Sequence, residues 1–273
     1  MVASARQNLR ALCPPPLRRW REMRYFLRNG EVELHIVPIL CRRDRDAIDV
    51  GANEGAYLHV MIPNARRVLA IEPIPSLAAA LVRKFGRRVA VTQAALSRAA
   101  GTSVLRIPMV MGAAVEGLAT LSAASPASHE RYREIAVTTH RLDEIYSGVV
   151  GFIKIDVEGH EEAVLDGAAE TIARCRPRLL VEMEERFAPG VIRREHERLR
   201  RIGYRGFYIH RRALNPIADF DPQLLQRAED IDGFTGSVPR MMLDGYVNNF
   251  VFLPEEDCSA VMPRIAGTLA CGR

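Results

Sequence analysis

The chain has 273 residues, 48% of them apolar, and a formal net charge of +5. Those values suit one α/β domain with an appendage and exclude a disordered chain or a disulfide-stapled miniprotein. No apolar run approaches the roughly 18 residues that a membrane span needs, and the arginines near the N-terminus precede no apolar signal segment, so a cytoplasmic location is expected.

The five cysteines (Cys13, Cys41, Cys175, Cys258 and Cys271) are odd in number and show no C-x-x-C spacing. Neither a zinc knuckle nor a disulfide framework is indicated, and a reducing compartment is the default. Only Lys84 and Lys154 are lysines; the rest of the Lys+Arg total is arginine, much of it before residue 46 (Arg18, Arg19, Arg21, Arg24, Arg28, Arg42, Arg43, Arg45). A basic arm can meet nucleic acid or anionic lipid. With no nucleic-acid motif beside it, a solvated helical face is the preferred reading.

Residues 1–45 read as a basic helical arm of one or two helices, with apolar surface between Trp20 and Leu27. From Ala47 the pattern alternates as a βα domain does. Ala47–Val50 is the first strand. Gly55–Met61 begins a short helix that stops near Pro63, and Arg67–Glu72 is the second strand. Ser76–Phe85 is a helix with Ser76 at its N-cap, Leu77, Leu81 and Phe85 in one stripe, and Gly86 as the stop. Arg88–Thr92 is the third strand. Thr102–Ile107 and Ile135–Thr139 are β-branched and read as strands of a hairpin or flap, with Pro108–Glu134 between them mostly loop. Leu142–Tyr146 is a short helix, Phe152–Ile155 the fourth strand, Glu161–Cys175 a helix, and Leu179–Met183 the fifth strand. Val191–Ile202 is an arginine-rich amphipathic helix, and Gly206–His210 is the sixth strand. After a long polar stretch, Asn249–Leu253 is the last. The domain is expected over 46–255, and 256–273 is read as a C-terminal tail.

Two segments carry the chemistry: Asp49-Val50-Gly51-Ala52-Asn53-Glu54-Gly55 and Lys154-Ile155-Asp156-Val157-Glu158-Gly159-His160-Glu161. Each follows an apolar run and delivers a carboxylate to a glycine turn, as a buried parallel strand does at the carboxyl edge of a sheet, where ligands of open α/β sheets bind. Gly51 and Gly55 permit close backbone approach. Glu72, at the next strand end, can take both hydroxyls of a ribose. The turn lacks the G-x-G-x-x-G pyrophosphate fingerprint, and Asp49 would repel a pyrophosphate but welcome a cation. A cationic, phosphate-free nucleoside fits, which describes S-adenosylmethionine. In the second segment the helix dipole accounts for Glu161 and Glu162 but not for Asp156. His160 has the ordinary pKa of a general base, although a capping or surface role is the commoner fate of a lone histidine. Asp156, Glu182 and His160 holding a divalent metal is a lower-ranked alternative.

With Ala70-Ile71-Glu72-Pro73, Ala95-Leu96-Ser97, Leu142-Asp143, Arg176-Pro177-x-Leu179-Leu180-Val181-Glu182 and Asn249-Phe250-Val251-Phe252-Leu253, these segments closely resemble the FkbM-type S-adenosylmethionine-dependent methyltransferases, over Asp49 to Leu253. The resemblance implies a class I methyltransferase, Rossmann-like α/β fold, with a mostly parallel seven-stranded sheet and its last strand reversed. It implies methyl transfer, mostly to hydroxyl oxygens of sugars or natural products. It places Gly51, Asn53 and Gly55 at the methionine end of the cofactor, Glu72 at its ribose, Ala95 and Leu96 by its adenine, and Asp156 near the reacting methyl. The short first helix and the 108–134 flap depart from the family pattern, and the arm lies outside it.

The expected function is therefore O-methylation of a small-molecule or glycan hydroxyl. Asp49, Gly51, Asn53, Gly55, Glu72, Ala95, Leu96 and Asp156 are the cofactor residues, and Asp156, His160 and Glu182 the catalytic ones. Rival readings are a nucleotide-dependent oxidoreductase, a non-catalytic binding protein on the same fold, and an RNA methyltransferase, although nucleic acid is a disfavoured partner. Homo-oligomerisation is left open.

Overall fold

A sheet covered on both faces organises the computed structural model, which describes residues 15–110, 113–122, 131–227, 230 and 245–271. The basic arm begins with helix α1 (Pro15–Asn29), a 3-10 turn at Val32–His35, and α2 (Val37–Leu40). Then come β1 (Asp46–Val50), α3 (Leu58–Met61), β2 (Val68–Ile71), α4 (Pro75–Phe85) and β3 (Ala90–Thr92). A second layer of strands follows: β4 (Ala95–Leu96), β5 (Gly101–Val110), β6 (Ala113–Ala114) and β7 (Tyr132–His140). The chain returns through α5 (Leu142–Ile145), β8 (Val150–Ile155), α6 (Glu161–Gly167), α7 (Ala169–Cys175), β9 (Arg178–Glu182), α8 (Val191–Arg201), β10 (Tyr204–His210) and β11 (Ala213–Pro216). It closes with α9 (Pro222–Leu225), β12 (Asn249–Pro254) and α10 (Glu255–Ala270).

The main sheet runs β11-β10-β12-β9-β8-β1-β2-β3. The pairs β1/β2, β1/β8, β2/β3 and β8/β9 are parallel, and β12 is antiparallel to both β9 and β10. Every residue of β1, β2, β8, β9 and β12 is buried, as strands with helices on both sides must be. Alternation sorts their side chains. Ala47, Ala70, Phe152, Leu180 and Val251 pack with α2, α3, α4 and α10, whereas Ile48, Ile71, Ile153, Val181 and Phe250 pack with α6, α7 and α8.

The expected reversed last strand is present, but among the described residues the sheet has eight strands, not seven. The extra strand is β11, which pairs antiparallel with β10. Arg211 and Arg212, at φ +49° and +58°, make the tight return. Two successive positive φ values are the geometry of a type I′ hairpin turn, which arginine seldom signals.

Three helix expectations are corrected. Ser76 is not the N-cap of α4; Ile74 holds that position with no side-chain cap, and Pro75 starts the helix, where its missing N–H costs nothing. The helix expected over Glu161–Cys175 breaks at Ala168 into α6 and α7. There Gly167 passes Ser97 so closely that a Cβ would lie 2.1 Å from its carbonyl oxygen. Residues 256–273, read as a tail, contribute most of α10, whose Cys258, Val261, Ile265 and Leu269 join the core.

β5 and β7 pair antiparallel over eight residue pairs and extend the expected flap, with β4 alongside β7. Leu105, Ile107 and Val137 pack with Ile74 and Ala95, which seats this second sheet over the end of the first. Residues 111–112 and 123–130 of the anticipated 108–134 loop lie outside the described residues; the described part holds β6 and a 3-10 turn at Glu116–Leu118. No described helix is long and apolar enough to cross a membrane.

Candidate active site at the carboxyl edge of the sheet

Strand register brings the site together. Val50 pairs with Ile71 on one side and Ile155 on the other, and Ile155 pairs with Val181. The residues one step further along, Gly51, Glu72, Asp156 and Glu182, therefore stand in a row at the edge. An open cleft lies there, about 590 Å³ counting the space it shares with solvent. Gly51, Asn53, Glu72, Ala95, Leu96, Asp156 and His160 all line it, and the flap contributes Leu105, Glu116, Gly117, Ala119 and Leu121. Thr120, 1% exposed, donates its hydroxyl to the carbonyl of Glu158 and so fastens the flap to the second motif. The flap residues were missed in the sequence because they lie far from both motifs along the chain.

Gly51 has φ +79°, and a Cβ on it would lie 1.8 Å from the Asp156 carbonyl oxygen. Only glycine lets the first turn pass the second motif. Gly55 does not line the cavity. At φ +80° it faces Phe85 and Leu81, where a Cβ would lie 2.6 Å and 2.9 Å from their side-chain carbons. Its structural role is to let α4 pack closely.

Glu72 is 3% exposed and accepts hydrogen bonds from the backbone N–H of Asn53 (2.8 Å) and of Ile74 (2.9 Å). Each oxygen keeps acceptor capacity for a hydroxyl. Burial raises its pKa against those two bonds, with Glu116 and Asp156 adding repulsion.

Beneath the cavity lies a cluster that sequence reading resolved only in part. Asp49 sits on the face of β1 opposite Val50, 2% exposed, and its Oδ2 has no hydrogen-bond partner among the described residues. Burial pushes its pKa up to about 7; Lys154 opposes the rise, and Asp156, Glu72 and Glu31 reinforce it. Lys154, paired with Asp49 across the strands and 1% exposed, places Nζ 2.6 Å from Asp156 Oδ2 and 3.9 Å from Glu182 Oε2, over the Tyr57 ring at 4.7 Å. Burial disfavours its charge, yet Asp156, Glu182 and Glu31 together raise its pKa above the ordinary value. Tyr57 donates to Glu31, and Asn249 reaches Glu31 at 3.5 Å. Glu182 lies outside the cavity lining and accepts from Asn248.

Carboxylate oxygens of Asp156, Glu158 and Glu182 lie within 4.8 Å of one another, a grouping able to hold a metal ion. Glu158 takes the place that sequence reading gave to His160. Burial and neighbouring carboxylates raise the pKa of both Glu158 and Glu182, so any cation here relieves repulsion that Lys154 already partly offsets. His160 instead turns its Nε2 to Ser97 Oγ, 3.0 Å away. Burial and Arg98 hold its pKa below the ordinary value, so its ring is neutral near pH 7. Glu161 accepts from the Gly159 N–H within its own turn (2.9 Å), which is a structural role.

Replacing Lys154 with Met should lower unfolding stability by about 3–5 kcal/mol at pH 7, because removing one partner strands buried carboxylates. Chemical denaturation measures it. A loss below about 1 kcal/mol would mean those acids bind protons and do not need the ammonium.

A mostly parallel sheet with a reversed strand β12, and a cleft over the carboxyl ends of β1, β2 and β8, define the class I methyltransferase fold. The family model for the methyltransferase FkbM domain matches residues 49–207, more than half of the chain. The chain belongs to the FkbM methyltransferase family. Among solved structures it is similar to a methyltransferase FkbM from Methylobacillus flagellatus, with 16% identity and a TM-score of 0.48 over 77% of this chain and 44% of that one. It thus spans under half the length of that relative. It is also similar to SMU.1697c, a putative methyltransferase from Streptococcus mutans in complex with SAH. That match has 8% identity and a TM-score of 0.40 over 81% of this chain and 94% of that one. No curated protein matches the chain in sequence.

Proposed function

We infer that the protein is an S-adenosylmethionine-dependent O-methyltransferase acting on a hydroxyl of a sugar, glycan or natural product. The observation that carries this reading is the row Gly51, Glu72, Asp156 at the cavity wall, backed by a surplus of buried carboxylates over one lysine. That surplus suits a cofactor bearing an ammonium and a sulfonium, and the unpartnered Asp49 oxygen lies beside it. In this reading Glu72 takes the ribose hydroxyls, Ala95 and Leu96 flank the adenine, Gly51 and Asn53 border the methionine end, and Asp156 faces the reacting methyl. S-adenosylmethionine supplies an electrophilic methyl group. The protein's part is to align the acceptor oxygen, worth on the order of 7 kcal/mol in favourable cases, and to accept its proton. We assign that step to the neutral His160 ring on the cavity wall. A divalent ion at Asp156, Glu158 and Glu182 would instead orient the acceptor oxygen, and it ranks second because Lys154 already supplies a cation there.

A melting-shift screen with S-adenosylhomocysteine and with NAD, followed by product mass on candidate glycans and polyketides, tests the reading. Stabilisation by NAD alone would reject it. Changing His160 to Ala is expected to cut turnover about a hundredfold with cofactor affinity within a factor of two. Turnover within threefold of the parent enzyme would remove His160 from the proton path.

The buried acids also set a pH signature. Asp49 rises from 3.8, and Glu161 from 4.5, to about 7 in the folded chain. The folded state therefore holds more protons than the unfolded one between about pH 4 and 7, and stability of the cofactor-free protein falls as pH rises through that window. The cost is on the order of 4 kcal/mol for Asp49 alone. Thermal melts from pH 5 to 8 should show the decline, Asp49→Asn should lessen it to the share that Glu161 and the other buried acids carry, and S-adenosylmethionine should reduce it. A cofactor-free melting temperature that climbs over this range would contradict the assignment.

A further inference from the structure

Helix α1 shows the solvent a face that interleaves arginines with large apolar side chains. Its inner side packs Met23, Phe26 and Leu27 on the core, and Glu22 turns to Lys84 at 3.3 Å. Its outer side carries Leu17, Trp20, Arg21, Arg24, Tyr25 and Arg28. Leu17 is 48% exposed, Trp20 46% and Tyr25 63%, and Arg24 lies over the Trp20 ring at 4.6 Å. No acidic residue stands on this exposed stripe of the helix.

The charge continues beyond the helix. Arg83, Arg87 and Arg88 are exposed at the end of α4 and in the turn that follows, beside Val82 at 53% exposure. Burial lowers the pKa of Arg19, repulsion from Arg88 and then Arg18 adds to it, and Glu22 opposes it, so Arg88 and Arg19 stand near one another. Glu22, which pairs Lys84, is the acid set among these cations, and the exposed arginines beyond it keep their field for a partner.

We propose that this face of α1, with Arg83, Arg87 and Arg88, docks the protein on an anionic lipid surface. Interleaved arginines with Leu, Trp and Tyr suit the headgroup boundary, where guanidiniums meet lipid phosphates and amphipathic rings sit between water and acyl chains. A second copy of the chain is a poor occupant, because a twofold contact through this stripe would set arginine against arginine. A folded nucleic acid would meet the charge but leave Leu17 and Val82 unused.

Trp20 is the only tryptophan of the chain, so its fluorescence reports this face without any variant. With vesicles of phosphatidylcholine and phosphatidylglycerol the emission should shift to the blue and be quenched by brominated acyl chains; with phosphatidylcholine alone it should not change. The triple variant R21E/R24E/R28E, checked for folding by circular dichroism, should lose affinity for the anionic vesicles by on the order of a hundredfold, about fivefold per arginine. Any of three results overturns the proposal: Trp20 emission indifferent to anionic vesicles, equal binding to neutral ones, or undiminished binding by the variant. RNA binding without vesicle binding reassigns the face to nucleic acid.

Discussion

Gly51→Ala is expected to destabilise the protein by about 3 kcal/mol or more and to abolish measurable binding of S-adenosylhomocysteine. Two costs add. The residue sits at φ +79°, which charges a Cβ-bearing residue roughly 1–2 kcal/mol. The new Cβ must also move the Asp156 carbonyl from 1.8 Å, a displacement in the range of core overpacking, about 1–3 kcal/mol. The moved atom belongs to the strand end that carries Asp156, so damage to stability and to the pocket arrive together. A thermal melt should fall by roughly 6 °C or more, and calorimetry with the demethylated cofactor should show no heat. A variant that melts and binds like the parent would mean that the two strand ends do not meet at this turn.

Asp156→Asn is expected to leave the fold in place and lower kcat/KM by at least about a hundredfold. The amide keeps the shape and an acceptor for Lys154, so the melting temperature should change by only a few degrees. What disappears is a negative charge on the cavity wall. A charge-assisted contact to the cofactor is worth about 1.5–3 kcal/mol, and loss of proton-accepting or positioning power adds a factor of about 100 or more. Separate measurement of cofactor affinity and single-turnover rate divides the two. Unchanged values for both would reduce Asp156 to a partner for Lys154.

The sheet was largely legible in the sequence because strands buried on both faces announce themselves as unbroken apolar runs, and the acids that end them, Glu72, Asp156 and Glu182, break those runs where the cleft begins. Register does the rest: once Val50, Ile71, Ile155 and Val181 pair, the next residues must be neighbours. Lys154 was harder to see. Inside an apolar run it reads as a stem that snorkels, and only the two-residue period, which puts Lys154 and Asp156 on the same side of β8, predicts the pair. Glu31 and Asn249, 218 positions apart, carry no local mark of their meeting through Tyr57 and the cluster. Gly55 misled for the opposite reason. A glycine at the end of a turn motif reads as a ligand contact, but here the space it leaves is filled by Phe85 and Leu81. Glu158 was noticed only as one of several acids at a helix start; its φ of +50°, which turns it toward Asp156 and Glu182, is a backbone property that no composition reveals.

The place of β12 has a consequence for how the molecule comes into being. It lies between β9 and β10, although both precede it in the chain and it is synthesised after every other described strand. Until then β9 and β10 each offer a bare hydrogen-bonding edge lined with Leu, Val and Tyr, the kind of template on which nascent chains stick to one another. Residues 49–207, the segment that the family model matches, stop short of β12, so that segment alone is expected to leave the facing edges of β9 and β10 unpaired. Closure waits for the Asn249–Pro254 segment, and α10 then seals the face behind it.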